Sequence, residues 1–148
     1  SVYFFLFFKN LNMNNDHILN IAHKIENHYA NSKYETFAMG DMAGKVSYLL
    51  DKKLIQLEGL VGGKKVLRKI QNQESLCELF KEFNVDIYLT TKINKVEELY
   101  YIEEPSQVSN NVKKMRGKLI VKPEITFKSA DLNVYAFNLK DNKFCFNN

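Results

Sequence analysis

The sequence predicts an α/β fold: a three-layer arrangement around a parallel βαβ core, with a mostly antiparallel β extension at the C-terminal end. Three observations predict it. Short apolar runs near 36–40, 54–58 and 85–90 are separated by amphipathic stretches, which is the pattern of parallel strands joined by helical crossovers. Five of the six glycines fall between Thr36 and Gly63, where backbone turns sharply between elements. After Thr91 the chain changes to brief β-branched and aromatic runs bounded by turn residues, as antiparallel strands are.

Before this core, Val2 to Phe8 is an unbroken apolar run of seven residues. A bilayer span needs about 18, and the run lacks the basic leader and cleavage site of a signal peptide. Its aromatic density favours a buried or edge strand. The chain opens at Ser1 rather than Met, as a processed or shortened polypeptide does. Asn10 to Asp16 reads as a polar linker rich in helix N-cap residues. A helix is expected from His17 to Ala30, with Ile18, Ala22, Ile25 and Tyr29 on one face. His17, His23 and His28 share it without the i,i+4 pairing of a helical metal site, so they read as helix surface.

Phe37 to Met39 forms the first core strand and ends at Gly40-Asp41; a helix follows from Met42, and a second strand closes at Glu58-Gly59. Lys64 to Gln71 is helical, carrying Val66, Leu67 and Ile70. Ser75 to Phe83 places Leu76, Leu79, Phe80 and Phe83 on one stripe. Asn84 suits the left-handed position that ends this helix. Val85 to Thr90 is apolar on both faces, like a central parallel strand. Leu99 to Ile102 reads as one further strand, and 105–111 as a loop. Strands at 119–121, 125–127, 133–139 and 144–146 then follow, with a hairpin turn at Asp141-Asn142.

The chain has 148 residues, 45% of them apolar and 26% charged, enough for one domain with a real core and no need of disulfides or metal. Its net charge of +4 comes from scattered lysines, with only Arg68 and Arg116 as arginines. That is a solvated surface rather than a nucleic-acid face, which favours clustered arginine. Cys77 and Cys145 stand far apart with no ligand spacing and read as reduced or buried residues; a disulfide is open but nothing in the spacing indicates it.

Gly40-Asp41-Met42-Ala43-Gly44-Lys45 invites a phosphate-loop reading, but three residues separate the glycines where four are needed, and Val46 stands where a hydroxyl should hold magnesium. No G-x-G-x-x-G or G-x-S-x-G occurs, so no cofactor and no serine nucleophile is indicated. The remaining candidate is a strand-end ligand site of Gly40, Asp41, Gly44, Lys45, Glu58 and Gly59, since open α/β sheets bind ligands beyond the carboxyl ends of their strands. Against it stands a structural role: Asp41 capping the following helix, and Glu58 holding backbone amides in the turn after it.

Gly40 to Asp51, Gln56 to Val61 and Asn84 to Leu89, with the closing strand Tyr135 to Leu139, resemble a recurrent C-terminal module. It occurs in bacterial multi-spanning membrane proteins similar to lipid-sugar-dependent glycosyltransferases. The resemblance covers about residues 15–140. It implies an extracytoplasmic domain attached to the membrane part of the same polypeptide, with a carbohydrate or lipid-linked sugar as partner. It also implies that Val2 to Phe8 is the exit of a membrane helix rather than a strand. The catalytic acid of such proteins is expected near their membrane helices, so no catalytic residue carries over. The alternative is a stand-alone, cytoplasmic ligand-binding protein or enzyme using Asp41 and Glu58.

Overall fold

The computed structural model describes residues 2–58, 63–106, 112–140 and 143–146, with side chains from Asp16 onward. A long helix, α1 (Val2–Tyr29), leads into β1 (Thr36–Met39), α2 (Ala43–Leu49), β2 (Lys53–Gln56), α3 (Gly63–Gln71), α4 (Leu76–Glu82) and β3 (Ile87–Thr90). β4 (Asn94–Val96), β5 (Leu99–Glu104), β6 (Met115–Leu119), β7 (Ile125–Ser129) and β8 (Leu132–Asn138) complete the chain. The expected α/β class is what the structure has. One five-stranded sheet runs β2-β1-β3-β8-β7, and a second runs β4-β5-β6. β2, β1 and β3 are parallel; β8 and β7 join them antiparallel, as does every pair in the small sheet.

Strand alternation divides the core into two layers. Phe37 and Met39 of β1, Ile87 and Leu89 of β3, and Val134 and Ala136 of β8 face α1 and α2. Ala38, Tyr88 and Phe137, between them in sequence, face α3, α4 and the small sheet. This is the period of two expected when both faces of a sheet are covered. α1 contributes Ile21, Ala22, Ile25 and Tyr29, all buried, and Tyr29 reaches across the sheet edge to donate a hydrogen bond to Glu124 at 2.8 Å.

Several expectations are corrected. Val2 to Phe8 is helix, not an edge strand, and Asn10 to Asp16 is helix too rather than a linker; both belong to α1. An apolar run of seven cannot be assigned by periodicity alone. Asparagine costs a fraction of a kcal/mol, about 0.6, per helical position, too little to break a helix anchored by tertiary contacts further along. Ile93 to Glu104 holds two strands, β4 and β5, paired as a hairpin. Leu67 is exposed on α3, and residues 144–146 run beside β6 through a Leu119–Cys145 bridge. The expected turn at Asp141-Asn142 and most of the 105–111 loop lie outside the described residues. Asn84 does adopt the left-handed conformation (φ 51°).

Cys77 and Cys145 are buried as expected, but they are not reduced: they form a disulfide with Cα atoms 6.1 Å apart. Spacing gave no hint of it, because the pair meets only through a third element. Ser75 bridges to Arg116 and Cys145 to Leu119, so the first turn of α4 and the C-terminal segment converge on the outer edge of β6. Gly117 makes the approach possible: a methyl there would meet Cys77 Sγ at 3.3 Å. The bridge closes a loop with a sequence separation of 68, for which the chain-entropy model gives about 4 kcal/mol. The double variant Cys77→Ala/Cys145→Ala is expected to lose about 4 kcal/mol in a denaturant titration; unchanged stability refutes the link.

Candidate functional site

β1 sends its chain to β2 on one side through α2 and receives β3 on the other after α3 and α4. Crossovers on opposite faces make the carboxyl ends of β1 and β3 a topological switch point, where α/β sheets form a ligand crevice. Asp41 follows β1 directly, Thr91 follows β3, and Glu58 follows β2. β5 ends here too, bringing Glu104 and, past the cis peptide to Pro105, Ser106.

The corner is filled by the chain's own polar groups. Glu104 is completely buried and accepts a hydrogen bond from Tyr88 Oη at 2.7 Å. Its other oxygen, Oε2, is buried with no hydrogen-bond partner. The carboxyl lies flat against Gly40, where a methyl group would overlap it, with Cδ only 2.6 Å away. Gly40 is therefore required by close packing, not by backbone conformation. Ser106, itself 2% exposed, donates a short hydrogen bond to Asp41, and Thr91 donates a second at 3.4 Å.

Electrostatics follow from this burial. Desolvation, reinforced by the nearby Asp41 and Glu58 carboxylates, pushes the Glu104 acid up to about 8, while the Tyr88 hydroxyl and the Ser106 backbone amide pull the other way. Glu58 is also held above its ordinary value, first by burial and then by Asp41, while the backbone amide of Met42 opposes the shift. Burial and the Glu104 carboxylate likewise drive the Tyr88 phenol well up. At neutral pH Glu104 keeps its proton.

The structure brings Gly40, Asp41 and Glu58 together and adds Glu104. Gly44 lies on the exposed side of α2, with no atom near where a side chain would begin. Lys45 is exposed beside it, and Gly59 lies outside the described residues. Of the structural roles foreseen for the acids, the Asp41 cap is corrected, while the turn after Glu58 lies outside the described residues. Asp41 does not cap α2, whose N-cap is Met42 (φ 71°) without a side-chain bond; it receives the Ser106 and Thr91 hydroxyls instead. The Met42 amide favours the charged form of Glu58 against the burial that raises it. The sequence reading missed Glu104, Tyr88, Thr91 and Ser106. The available signal was the alternation of Ile102 and Glu104, which puts a carboxylate on the core-facing side of β5.

No group of three or more His, Cys, Asp or Glu among the described residues can hold a metal ion. His17 Nδ1 lies 2.9 Å from Ser129 Oγ, and His23 and His28 are exposed. Away from the corner, a groove of about 850 Å³ runs along the outer face of the small sheet, lined in part by Ser75, Asn94, Tyr101, Glu103, Arg116 and Lys118. Comparison with protein-family models, curated proteins and solved structures finds no match.

Two predictions follow from the corner. Gly40→Ala is expected to cost about 3 kcal/mol through overpacking, whereas Gly44→Ala is expected to stabilise α2 by up to about 1 kcal/mol; thermal or denaturant unfolding of both variants reads the contrast. The second concerns pH. The unfolded chain releases the Glu104 proton near 4.5, but the folded chain holds it to about 8. The stabilisation is complete below the lower value and is lost as pH rises through the upper one. Unfolding midpoints are expected to fall across that window, with Glu58 adding in the same direction, and Glu104→Gln to flatten most of the slope. An unchanged slope in that variant refutes the assignment.

Proposed function

We propose that this chain is a non-catalytic accessory domain of a membrane-embedded glycosyltransferase-like protein, placed on the extracytoplasmic face and assisting sugar or acceptor binding. The observation that carries the reading is α1. The apolar run Val2 to Phe8 and the buried stripe from Ile21 to Tyr29 belong to one uninterrupted helix. At 1.5 Å per residue the run stands roughly 20 Å along the axis from Ile21, the first buried residue among those whose side chains are described. Such a helix delivers the domain to an apolar phase while its other end is locked into the sheet. Among the described residues no helix is long and apolar enough to cross a membrane by itself, so α1 acts here as a stalk, with the spanning and catalytic parts assigned to the membrane portion of the polypeptide.

Two further features support the reading. The Cys77–Cys145 disulfide suits an oxidising compartment, where such bonds persist. The switch-point corner is closed by Glu104 and Ser106, which suits a domain whose Asp41 and Glu58 serve its packing rather than turnover. The residues behind the family resemblance, Gly40, Asp41 and Glu58, are the ones this packing uses.

The test is fractionation of the product of the native reading frame, carrying a C-terminal tag. The tagged protein is expected in carbonate-washed membranes, with the tag accessible from the extracytoplasmic side. Recovery entirely in the soluble fraction overturns the proposal.

A further inference from the structure

The small sheet carries one further segment, held on by different means from its strands. Residues 144–146 lie along the outer edge of β6. Phe144 O accepts the Ile120 amide there, and the Phe146 amide donates to Lys118 O, both at 2.9 Å. Between these bonds stands Cys145, bridged antiparallel to Leu119 and joined to Cys77. The segment therefore covers backbone groups that would otherwise form an open strand edge.

The two sides of the disulfide are anchored unequally. Cys77 belongs to α4, whose Leu76, Leu79 and Phe80 are buried in the core. Ser75 Oγ caps that helix by accepting the Cys77 amide at 3.2 Å, and Ser75 also pairs with Arg116. On the other side, Cys145 itself is the buried residue of the segment. Phe144 is half-buried, 6.4 Å from the Phe80 ring, and Lys143 and Phe146 are exposed. Each backbone bond favours the closed segment by about fivefold. A disulfide closing a loop of this size is worth about a thousandfold. The covalent bond thus dominates the hold on this segment, whereas α4 is fixed by its own packing.

We propose that the Cys77–Cys145 disulfide is a redox-operated latch: a dithiol that reduces it frees residues 143–146 from β6 and opens that strand edge, while the rest of the fold stays closed. Access comes from the Cys77 side. Cys77 borders the groove of about 850 Å³ and is 7% exposed, against 2% for Cys145. A thiolate of the dithiol attacks Cys77 Sγ, the Cys77–Cys145 bond breaks, and Cys145 leaves as a thiolate that takes up a proton. The second thiol of the reductant then attacks its own sulfur in the mixed disulfide and releases Cys77 in the same way. The two cysteines gain two electrons and two protons, and the dithiol leaves as a disulfide. Lys118 O and the Ile120 amide lose their partners and pass to solvent. Reoxidation reverses each step. This latch goes beyond the accessory-domain reading and stands without it.

The experiment is ¹⁵N NMR of the full chain, oxidised and then reduced with excess dithiothreitol, followed by alkylation with iodoacetamide. On reduction the heteronuclear NOE of Phe144, Cys145 and Phe146 is expected to fall by more than half. The amide shifts of Tyr88, Leu89 and Ala136 in the large sheet are expected to hold. In the reduced chain Cys145 is expected to alkylate at least tenfold faster than Cys77, the reverse of their order of exposure in the closed structure. The variant Cys77→Ala/Cys145→Ala is expected to show the same fall in NOE without reductant, which separates loss of the bond from any other action of the thiol. Unchanged NOE values after reduction, collapse of the whole spectrum, or alkylation of Cys77 as fast as Cys145 overturns the proposal.

Discussion

The contact of a buried carboxyl with a glycine governs how the two sheets of this protein meet. Glu104 is fully buried at the end of β5, and its carboxyl occupies the volume that any side chain at position 40 would need. Burial keeps the acid protonated toward pH 8, so the carboxyl packs as a neutral group with Tyr88 as its hydrogen-bond donor. An ionised carboxylate in that position, close to Asp41 and Glu58, would carry a desolvation penalty that the Tyr88 phenol and the Ser106 amide do not offset. Neutrality is thus the condition under which the small sheet docks on the large one.

That docking determines what the strand ends are available for. In most open α/β sheets the switch point is an empty crevice; here β5 and the residues after it enter it. Asp41 turns toward Ser106 and Thr91 and becomes part of a polar seam between sheets. Polarity open to solvent moves to the far side of the small sheet, where Tyr101, Glu103, Arg116 and Lys118 lie in two cross-strand rows. The disulfide across the edge of β6 completes that surface by holding Phe146 beside it.

α1 is the other element whose consequence exceeds its local role. Its C-terminal half is a conventional amphipathic helix, covering Phe37, Met39 and Phe127 with Ile21, Ile25 and Tyr29. Its N-terminal half continues the same helix through four asparagines and an aromatic run. A helix needs costly nucleation only once, so the packed half can propagate through residues that would not start a helix alone.

The sequence by itself determined the βαβ core, the antiparallel extension and most helix bounds, because each rests on local information: apolar period, glycine position, and the left-handed Asn84. It also determined that Gly40, Asp41 and Glu58 would share one corner, since they end neighbouring parallel strands. Only the tertiary structure decided what the corner does. Glu104 lies 64 residues from Gly40 in sequence, and nothing near either residue encodes their contact. The same holds for Cys77 and Cys145, brought together by β6, and for Val2 to Phe8, whose strand-like composition yields to a helix nucleated elsewhere. Contacts between distant segments depend on sheet order and register, and those follow from how the whole core closes.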